Sequence, residues 1–438
     1  MKKVISFMLL LVTSISLISC GNNENAPSED VIPKPDKAET VNLKVVFSET
    51  GKELMLNGAG NSGGFYDIVD RIWNLGEQMS TGEFDCNIVY TDYSSKTRVY
   101  LCNDPSCRHN TEDCTSYIKT TGAGVKVFPV EDYLICMRSG KSDRTAEKEE
   151  DLSAIIIMGL DGSNRRKYLL SADESFTLPF IVLSDENRIY FQIVSVNEGN
   201  TEKKVLSIDL DTGERKTETE IPMSYMLVSA YDDCMVFYDT ESVTNMIFSL
   251  SEKAFNKSLS GVSGIYNANF SFDLEFDVDI TDFHNILKAK SITVIVSDIK
   301  DKSIQKYGPY PLEDDHAGVM IINSNDDHVC VRYISNLSSG GDEVSYDLDL
   351  TTGMFEKREL YVPIRGGSYP VPVIADAGDS YLVEYDMTYV VQTFYDRQGV
   401  VHTVDNNSYL QYALIKKEDY YSNTPNYEII KDTLCEVG

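Results

Sequence analysis

The sequence predicts an all-β fold, a β-propeller with seven blades, although six to eight blades fit the pattern. Short strands recur at intervals of 40 to 59 residues, and Asp-Gly or Thr-Gly turns follow several of them. The composition, with 10% aromatic residues and 27 tyrosines, favours strands. Because one such sheet cannot bury both its faces alone, repeats of this length stack side by side in a ring. The alternative is a β-sandwich of unrelated hairpins.

The repeat begins near Asn87 and has three predicted strands per unit. Its first strands are Ile88–Tyr90, Tyr133–Ile135, Ile189–Phe191, Met235–Phe237, Val329–Val331 and Tyr381–Val383. Its second strands end at Leu101, Leu160, Leu210, Leu250, Ile299, Leu350 and Tyr395. Polar turns such as Leu210-Asp211-Thr212-Gly213 then lead into a third strand, as expected for hairpins.

Residues 1–19 have the layout of a signal peptide. Lys2 and Lys3 precede an apolar run, Val4 to Ile18, that is too short to span a bilayer comfortably. The run ends in Leu17-Ile18-Ser19-Cys20, which resembles the lipobox of bacterial lipoproteins. That resemblance implies cleavage before Cys20 and lipidation of its thiol, so we expect a lipid-anchored, extracytoplasmic protein on the cell membrane or outer membrane. The alternative is an ordinary cleaved signal with a cysteine at this position by chance.

Residues 20–40 are predicted to be a disordered tether, because the segment is polar and acidic and contains Pro27, Pro33 and Pro35. The propeller, with an N-terminal extension, is assigned to residues 41–438. Val41 to Phe47 alternates in polarity and predicts a strand. A propeller ring closes when one chain end completes a sheet begun by the other, and the candidates are Val41–Phe47 and Glu428–Leu434.

The chain is strongly acidic. It carries 39 Lys and Arg against 69 Asp and Glu, and loss of Lys2 and Lys3 with the signal peptide leaves 37 against 69, a net charge of −32. Such a surface repels phosphate backbones and anionic lipid head groups. We therefore expect no nucleic-acid partner, and membrane attachment through the lipid alone.

One segment brings together residues that bind metals. Cys102, Cys107, His109 and Cys114 follow the pattern C-x4-C-x-H-x4-C. Three thiolates and an imidazole suit a tetrahedral zinc site. In an exported protein, a disulfide between two of these cysteines is a second interpretation, and free thiols are a third. Four protein ligands leave no open coordination position, so the predicted zinc site is structural.

The other reactive residues give no catalytic pattern. Cys136, Cys234 and Cys330 lie in apolar strands and are predicted to pack in the core, while Cys86 and Cys435 are candidates for pairing. The sequence has no G-x-S-x-G, H-E-x-x-H, P-loop or EF-hand motif. No catalytic residue is therefore predicted.

Three segments together resemble poorly characterised bacterial lipoproteins with propellers of the TolB-like or low-density-lipoprotein-receptor-like kind. They are the lipobox, the run Leu101 to His109 with Cys114, and Ala413 to Tyr420 with Tyr427. The resemblance covers roughly residues 80 to 435, but no YWTD repeat is present and Trp73 is the only tryptophan. It implies a binding or scaffolding role and supplies no catalytic residues.

We therefore expect a membrane-anchored lipoprotein whose propeller binds an envelope protein, a peptide or a glycan through one face. Propeller faces are built from variable loops, which suits recognition. The alternative function is an envelope enzyme, a glycan lyase or hydrolase with its active site at the central channel.

Overall fold

The computed structural model describes residues 41–49, 57–70, 84–120, 124–141, 148–197, 199–260, 265–278, 288–312, 316–325, 327–335, 343–364, 367–395 and 401–434. These residues form seven blades in a ring, so the β-propeller and its predicted blade number are confirmed. The predicted signal peptide, Cys20 and the tether lie outside the described residues.

The strands follow the chain from blade to blade. The N-terminal strand and blades 1 to 3 contain β1 (Lys44–Ser48); β2 (Ala59–Gly60), β3 (Gly64–Asp70), β4 (Phe84–Asp92), β5 (Thr97–Tyr100) and β6 (Tyr117–Thr120); β7 (Val125–Val130), β8 (Tyr133–Arg138), β9 (Ala154–Gly159) and β10 (Arg166–Leu169); β11 (Glu174–Phe176), β12 (Ile181–Ser184), β13 (Arg188–Asn197), β14 (Asn200–Asp209) and β15 (Arg215–Ile221). A 3-10 turn, Glu149–Asp151, precedes β9.

Blades 4 to 7 continue the same order. They contain β16 (Tyr225–Tyr231), β17 (Cys234–Asp239), β18 (Thr244–Ser249) and β19 (Ala254–Ser260); β20 (Ile265–Asn267), β21 (Phe270–Phe276), β22 (Ser291–Asp298) and β23 (Ile304–Pro311); β24 (His316–Asn325), β25 (His328–Ser335), β26 (Glu343–Asp349) and β27 (Phe355–Lys357); the hairpin β28 (Tyr361–Ile364) and β29 (Gly367–Pro370); β30 (Val373–Asp376), β31 (Ser380–Tyr395), β32 (Val401–Lys416) and β33 (Glu428–Ile429); and last β34 (Lys431–Asp432). Helix α1, Lys417–Tyr421, joins β32 to β33.

Each blade is an antiparallel meander whose first strand lies innermost. The turns between first and second strands and between third and fourth strands share one face, which we call the upper face. The connections between second and third strands lie on the opposite, lower face.

The C-terminus closes the ring. Strand β33 is the outer strand of blade 7, and β34 then pairs in parallel with β5 of blade 1, with Lys431 opposite Thr97. The segment Glu428–Leu434 therefore holds the closing strand. Strand β1 has a different role, since it pairs with β12 as an additional inner strand of blade 3, with Lys44 opposite Ser184.

The core consists of apolar layers between neighbouring blades. Between blades 2 and 3, for example, Phe47 stacks on Phe128 beside Ile135 and Phe191, all at most 2% exposed. Cys136 and Cys330 are buried in the core as predicted. Cys234 is only half-buried, because it begins β17 at the upper face.

The predicted repeat holds for most blades but shifts at both ends. In blades 2, 3, 4 and 6 the predicted first and second strands are the second and third strands of the blade. In blade 1, Ile88–Tyr90 belongs instead to the third strand, β4. In blade 7, Tyr395 ends the second strand, and the third ends at Lys416.

Candidate metal centre

The segment with the four predicted ligands interrupts the outer strand of blade 1. Strands β5 and β6 both pair with β4, at Val89–Asp92 and at Phe84–Asn87 respectively. Between them, the backbone of Ile88 is bonded to both ends of the segment: Leu101 N donates to Ile88 O (3.0 Å) and Ile88 N donates to Ser116 O (2.7 Å). Residues 101–116 therefore form a loop inserted between two halves of one outer strand, and we call them the cysteine loop.

The cysteine loop brings Cys102, Cys107, His109 and Cys114 together. One ligand atom from each residue lies within 4.8 Å of the others. All three cysteines are free thiols, Cys114 being buried and the others half-buried. In a tetrahedral zinc site with Zn–S bonds of about 2.3 Å, the sulfur atoms lie roughly 3.8 Å apart. The donor atoms are thus close to the spacing that one ion requires.

Main-chain and side-chain donors surround the sulfur atoms. His109 N donates to Cys107 Sγ (3.3 Å), and Ser116 N donates to Cys114 Sγ (3.4 Å). His109 Nδ1 lies 3.4 Å from Cys114 Sγ, and its ring stacks on Tyr100 with the centroids 4.4 Å apart. His109 has a positive φ of 52°, a left-handed conformation that turns the chain back on Cys107. N–H donors of this kind stabilise thiolate charge.

The thiols differ in acidity. Burial opposes ionisation of Cys114, yet hydrogen bonds from Ser116 and His109 outweigh it and lower the pKa of this thiol. Burial raises the pKa of Cys107. Cys114 therefore ionises more readily than Cys107, and metals bind the thiolate form.

Two residues outside the sequence pattern, Asn87 and Arg165, hold the cysteine loop in place. The Asn87 side chain, 1% exposed on β4, donates to His109 O (3.0 Å) and to Ser116 Oγ (2.9 Å). Arg165 of blade 2 donates to Tyr117 O (2.7 Å) and to Thr115 O. Their positions in the sequence give no signal of these contacts, which depend on pairing between distant strands and blades.

The neighbouring blade fits closely against the loop. A Cβ atom on Gly162, in the third turn of blade 2, would lie 2.5 Å from Thr115 O. Gly162 also has a φ of 79°, so glycine meets both requirements. The cysteine loop is therefore fixed between blades 1 and 2, and a metal bound by its four candidate ligands would cross-link the loop itself.

Other cysteine, histidine and aspartate residues lie away from the cysteine loop. Cys86 is buried in β4, and Cys435 lies outside the described residues. His328 stacks on Tyr421 at the upper face, with ring centroids 3.6 Å apart. Asp209 and Asp349 accept hydrogen bonds from the backbone of the turns that follow them, as expected for hairpin residues.

The central channel holds a second concave site, with a volume of about 350 Å³. Its polar lining on the upper side is mostly amide and hydroxyl groups from the inner strands of blades 5 to 7: Tyr266, Asn267, Asn323, Ser324, Asn325 and Asp376. The lining also includes Val45 and Ser48 of β1, so the N-terminal strand forms part of the channel wall.

No family model and no curated protein matches this chain. Among solved structures, it is similar to an oligogalacturonate lyase in complex with manganese (9% identity, covering 88% of this chain and 100% of that chain, TM-score 0.39). It is also similar to the β-propeller domain of the Trilobed protease from Pyrococcus furiosus (10% identity, 68% and 89%, TM-score 0.37). TolB from Acinetobacter baumannii is a third similar structure (14% identity, 83% and 78%, TM-score 0.30). At such identities the likeness concerns the fold and not the ligand.

Among the described residues, no helix is both long and apolar enough to cross a membrane.

Proposed function

We propose that this chain is an extracytoplasmic binding protein, anchored to a membrane by lipid on Cys20, whose channel binds a glycan. The main support for a glycan site is that amide and hydroxyl side chains line the channel, namely those of Asn267, Asn323, Ser324 and Asn325. Amide and hydroxyl groups both donate and accept hydrogen bonds, which matches the hydroxyl groups of a sugar. The aromatic ring of Tyr266 adds a surface on which a sugar can pack.

The same lining supports binding over cleavage. Hydrolysis of a glycosidic bond commonly uses two carboxyl groups about 5 to 9.5 Å apart. Among the described residues that line the channel, Asp376 is the one carboxylate, and its Oδ2 lies 2.8 Å from Lys417 Nζ. A carboxylate paired in this way is suited to orienting a ligand.

Binding is tested by calorimetry with a panel of envelope glycans on the purified folded chain. We expect at least one glycan to bind, and Asn267→Ala with Asn325→Ala to weaken it tenfold or more. Asn187→Ala, on an exposed upper-face turn outside the channel, is the matched control and should bind as the wild type does. Failure of all glycans to bind, or release of shortened products, would overturn this proposal.

Anchoring needs a separate test. Cells fed radiolabelled palmitate should label the wild-type chain but not Cys20→Ala, and only the wild type should sediment with membranes. A labelled Cys20→Ala variant, or an unlabelled wild type, would contradict lipidation at this residue.

We also infer that the cysteine loop holds one structural zinc ion through Cys102, Cys107, His109 and Cys114. Four protein ligands would fill the tetrahedral shell, so the ion would stabilise the loop and take no part in a reaction. Elemental analysis of the purified chain should find about one zinc per chain, and Cys114→Ser should lose it. Cys234→Ser, a half-buried cysteine in blade 4, is the control that should retain zinc. Absence of metal together with oxidised thiols would favour the disulfide.

A further inference from the structure

A third concave site opens on the lower face between blades 2 and 3, opposite the upper end of the channel. Its volume is about 290 Å³. One part of its wall is formed by residues 139–141 and 151–153, which lie after β8 and before β9. Another part is the segment that leads from blade 2 into blade 3, and the rest comes from Glu49 after β1 and Lys126 on β7. We call it the lower pocket. It shares no residue with the cysteine loop or the channel.

One side of the lower pocket is apolar. Phe176, Leu178 and Phe180 form it, and the rings of Phe176 and Phe180 lie 5.4 Å apart. The Leu178 side chain is 76% exposed and lines the pocket together with these two aromatic rings. This side therefore offers a surface for an apolar group of a ligand.

The other side carries two ion pairs, each between a lysine and an acidic residue. Lys126 Nζ lies 2.6 Å from Glu49 Oε1, and both side chains are less than 15% exposed. Lys141 Nζ lies 3.0 Å from Asp151 Oδ1, and the Asp151 side chain is 1% exposed. Glu49 also accepts a hydrogen bond from Phe180 N (2.8 Å), and Lys126 also donates to Asn57 Oδ1 (2.9 Å). An ammonium group has three donors and a carboxylate several acceptor positions, so Glu49, Lys126 and Lys141 can each accept a further charged partner. Charges of both signs thus line a partly dehydrated site.

The wall of the lower pocket is preformed. Gly140 N donates to Ser153 Oγ (3.0 Å), and Lys141 N donates to Asp151 O (2.9 Å). A Cβ atom on Gly140 would lie 2.4 Å from Asp151 O, so the two ends of the connection cross in close contact. Such a rigid wall lowers the entropy that a ligand loses on binding.

We propose that the lower pocket binds a small zwitterionic peptide with an apolar side chain. Its ammonium group would contact the carboxylate of Glu49, its carboxylate the ammonium groups of Lys126 and Lys141, and its side chain the apolar side at Leu178. Asp151, which is 1% exposed, would hold Lys141 in position. A ligand with both charges matches the site because neither ion pair leaves a net charge to neutralise. This site is separate from the channel, so it extends the proposed function.

Calorimetry with Leu-Leu, Ala-Leu and Gly-Gly on the folded chain tests the proposal. We expect Leu-Leu to bind, and N-acetylation or C-amidation to weaken it tenfold or more. Leu178→Ser, a change at an exposed position, should weaken Leu-Leu but leave Gly-Gly unchanged. Lys126→Met should weaken every dipeptide.

The channel variant Asn267→Ala with Asn325→Ala is the control that should bind Leu-Leu normally. The proposal would be overturned if none of the three free dipeptides bound. Equal binding of Leu-Leu and its doubly blocked form would also overturn it, because the ion pairs would then have no role. An unchanged affinity of the Leu178→Ser variant for Leu-Leu would contradict the proposed contact between the ligand side chain and the apolar side of the pocket.

Discussion

The side-chain amide of Asn87 donates a hydrogen bond to the main-chain oxygen of His109 across 3.0 Å. A fully buried strand residue thereby fixes the position of a proposed metal ligand. The same amide nitrogen also contacts Ser116 Oγ (2.9 Å), which in turn lies 3.1 Å from Cys114 Sγ.

We predict that Asn87→Ala weakens zinc affinity by roughly 10- to 100-fold, as loss of an outer-shell partner usually does. The measurement is competition with a chromophoric chelator. Asn245→Ala is the matched control, since Asn245 is also buried and hydrogen-bonded, to Tyr266, but lies in blade 4. It should lower stability and leave zinc affinity unchanged; equal zinc affinity in both variants would contradict the prediction.

The closing strand is held by Arg98. Its guanidinium lies 3.3 Å from Asp67 on β3 and 3.3 Å from Asp432 on β34, and its side chain is 9% exposed. We predict that Arg98→Met lowers the free energy of unfolding by roughly 3 kcal/mol, because two poorly exposed carboxylates lose their cation. Urea denaturation measures the loss.

Lys44→Met is the control for this prediction. Lys44 pairs with Glu131 at 2.5 Å, but both side chains are about half exposed, so the change should stay within about 1 kcal/mol. Adding Asp67→Asn and Asp432→Asn to Arg98→Met should recover part of the stability. Equal losses for Arg98→Met and Lys44→Met would show that burial of the closing pair has no effect.

Glu384 gives the protein a pH-dependent stability. Its side chain is fully buried on β31; Tyr369 donates a hydrogen bond to Oε1, and Oε2 has no partner among the described residues. Burial raises the pKa of Glu384 to about 7, against the opposing effect of the Tyr369 hydrogen bond. Between the ordinary value of 4.5 and 7, the folded state binds more protons than the unfolded state. The contribution of Glu384 to stability therefore falls as pH rises through this window.

We predict that Glu384→Gln becomes more stable than the wild type as pH rises from 5 to 8, by a difference on the order of 3 kcal/mol. Urea denaturation at each pH measures this difference. The exposed Glu359→Gln is the control and should follow the wild-type pH dependence. A constant gap between Glu384→Gln and the wild type across the range would contradict the prediction.

Two glycines in equivalent turns have the same backbone conformation but different space around them. Their alanine variants therefore distinguish backbone strain from steric overlap. Gly213 and Gly353 follow the third strands of blades 3 and 6 with φ of 73° and 74°. A Cβ atom on Gly213 would lie 2.1 Å from the Tyr168 ring, whereas on Gly353 the nearest atom is at 4.0 Å. We predict a loss of about 1 kcal/mol for Gly353→Ala and a clearly larger loss for Gly213→Ala, measured by urea denaturation. Equal losses would show that Tyr168 moves aside freely.

The same turn explains how far the sequence predicts the fold. In several blades, the fifth residue of the turn has a positive φ, whether it is glycine, as Gly213 and Gly353, or lysine, as Lys253 and Lys302. A Leu or Ile at the second position of this turn, as at Leu250 and Ile299, is the signal that identifies blades 3 to 6. In blade 1 the equivalent turn is Asp92 to Lys96, with Lys96 at φ 55°, and Tyr93 stands at that position. Without the Leu or Ile signal, the pattern predicts the strand end at Leu101, inside the cysteine loop.

The sequence predicts the candidate ligands from their residue types, but it does not predict the residues that support them. Cysteine and histidine at short spacing predict the four proposed ligands, which the structure brings together, because metal chemistry restricts donors to a few side chains. The supporting residues Asn87 and Arg165 have no such restriction, and they meet the loop through strand pairing and blade packing. The channel amides come from blades that are far apart in sequence, so no local pattern could join them.

The closing contact between β5 and β34 joins residues 334 positions apart, as the Arg98–Asp432 pair shows. During synthesis, the outer edge of the first blade is therefore left uncovered until β34 has been made. Contacts of such separation are slow to form. A chain stalled or truncated shortly before Asp432 would have nearly every blade and still lack the closed ring, so loss of a few terminal residues should leave a species prone to degradation.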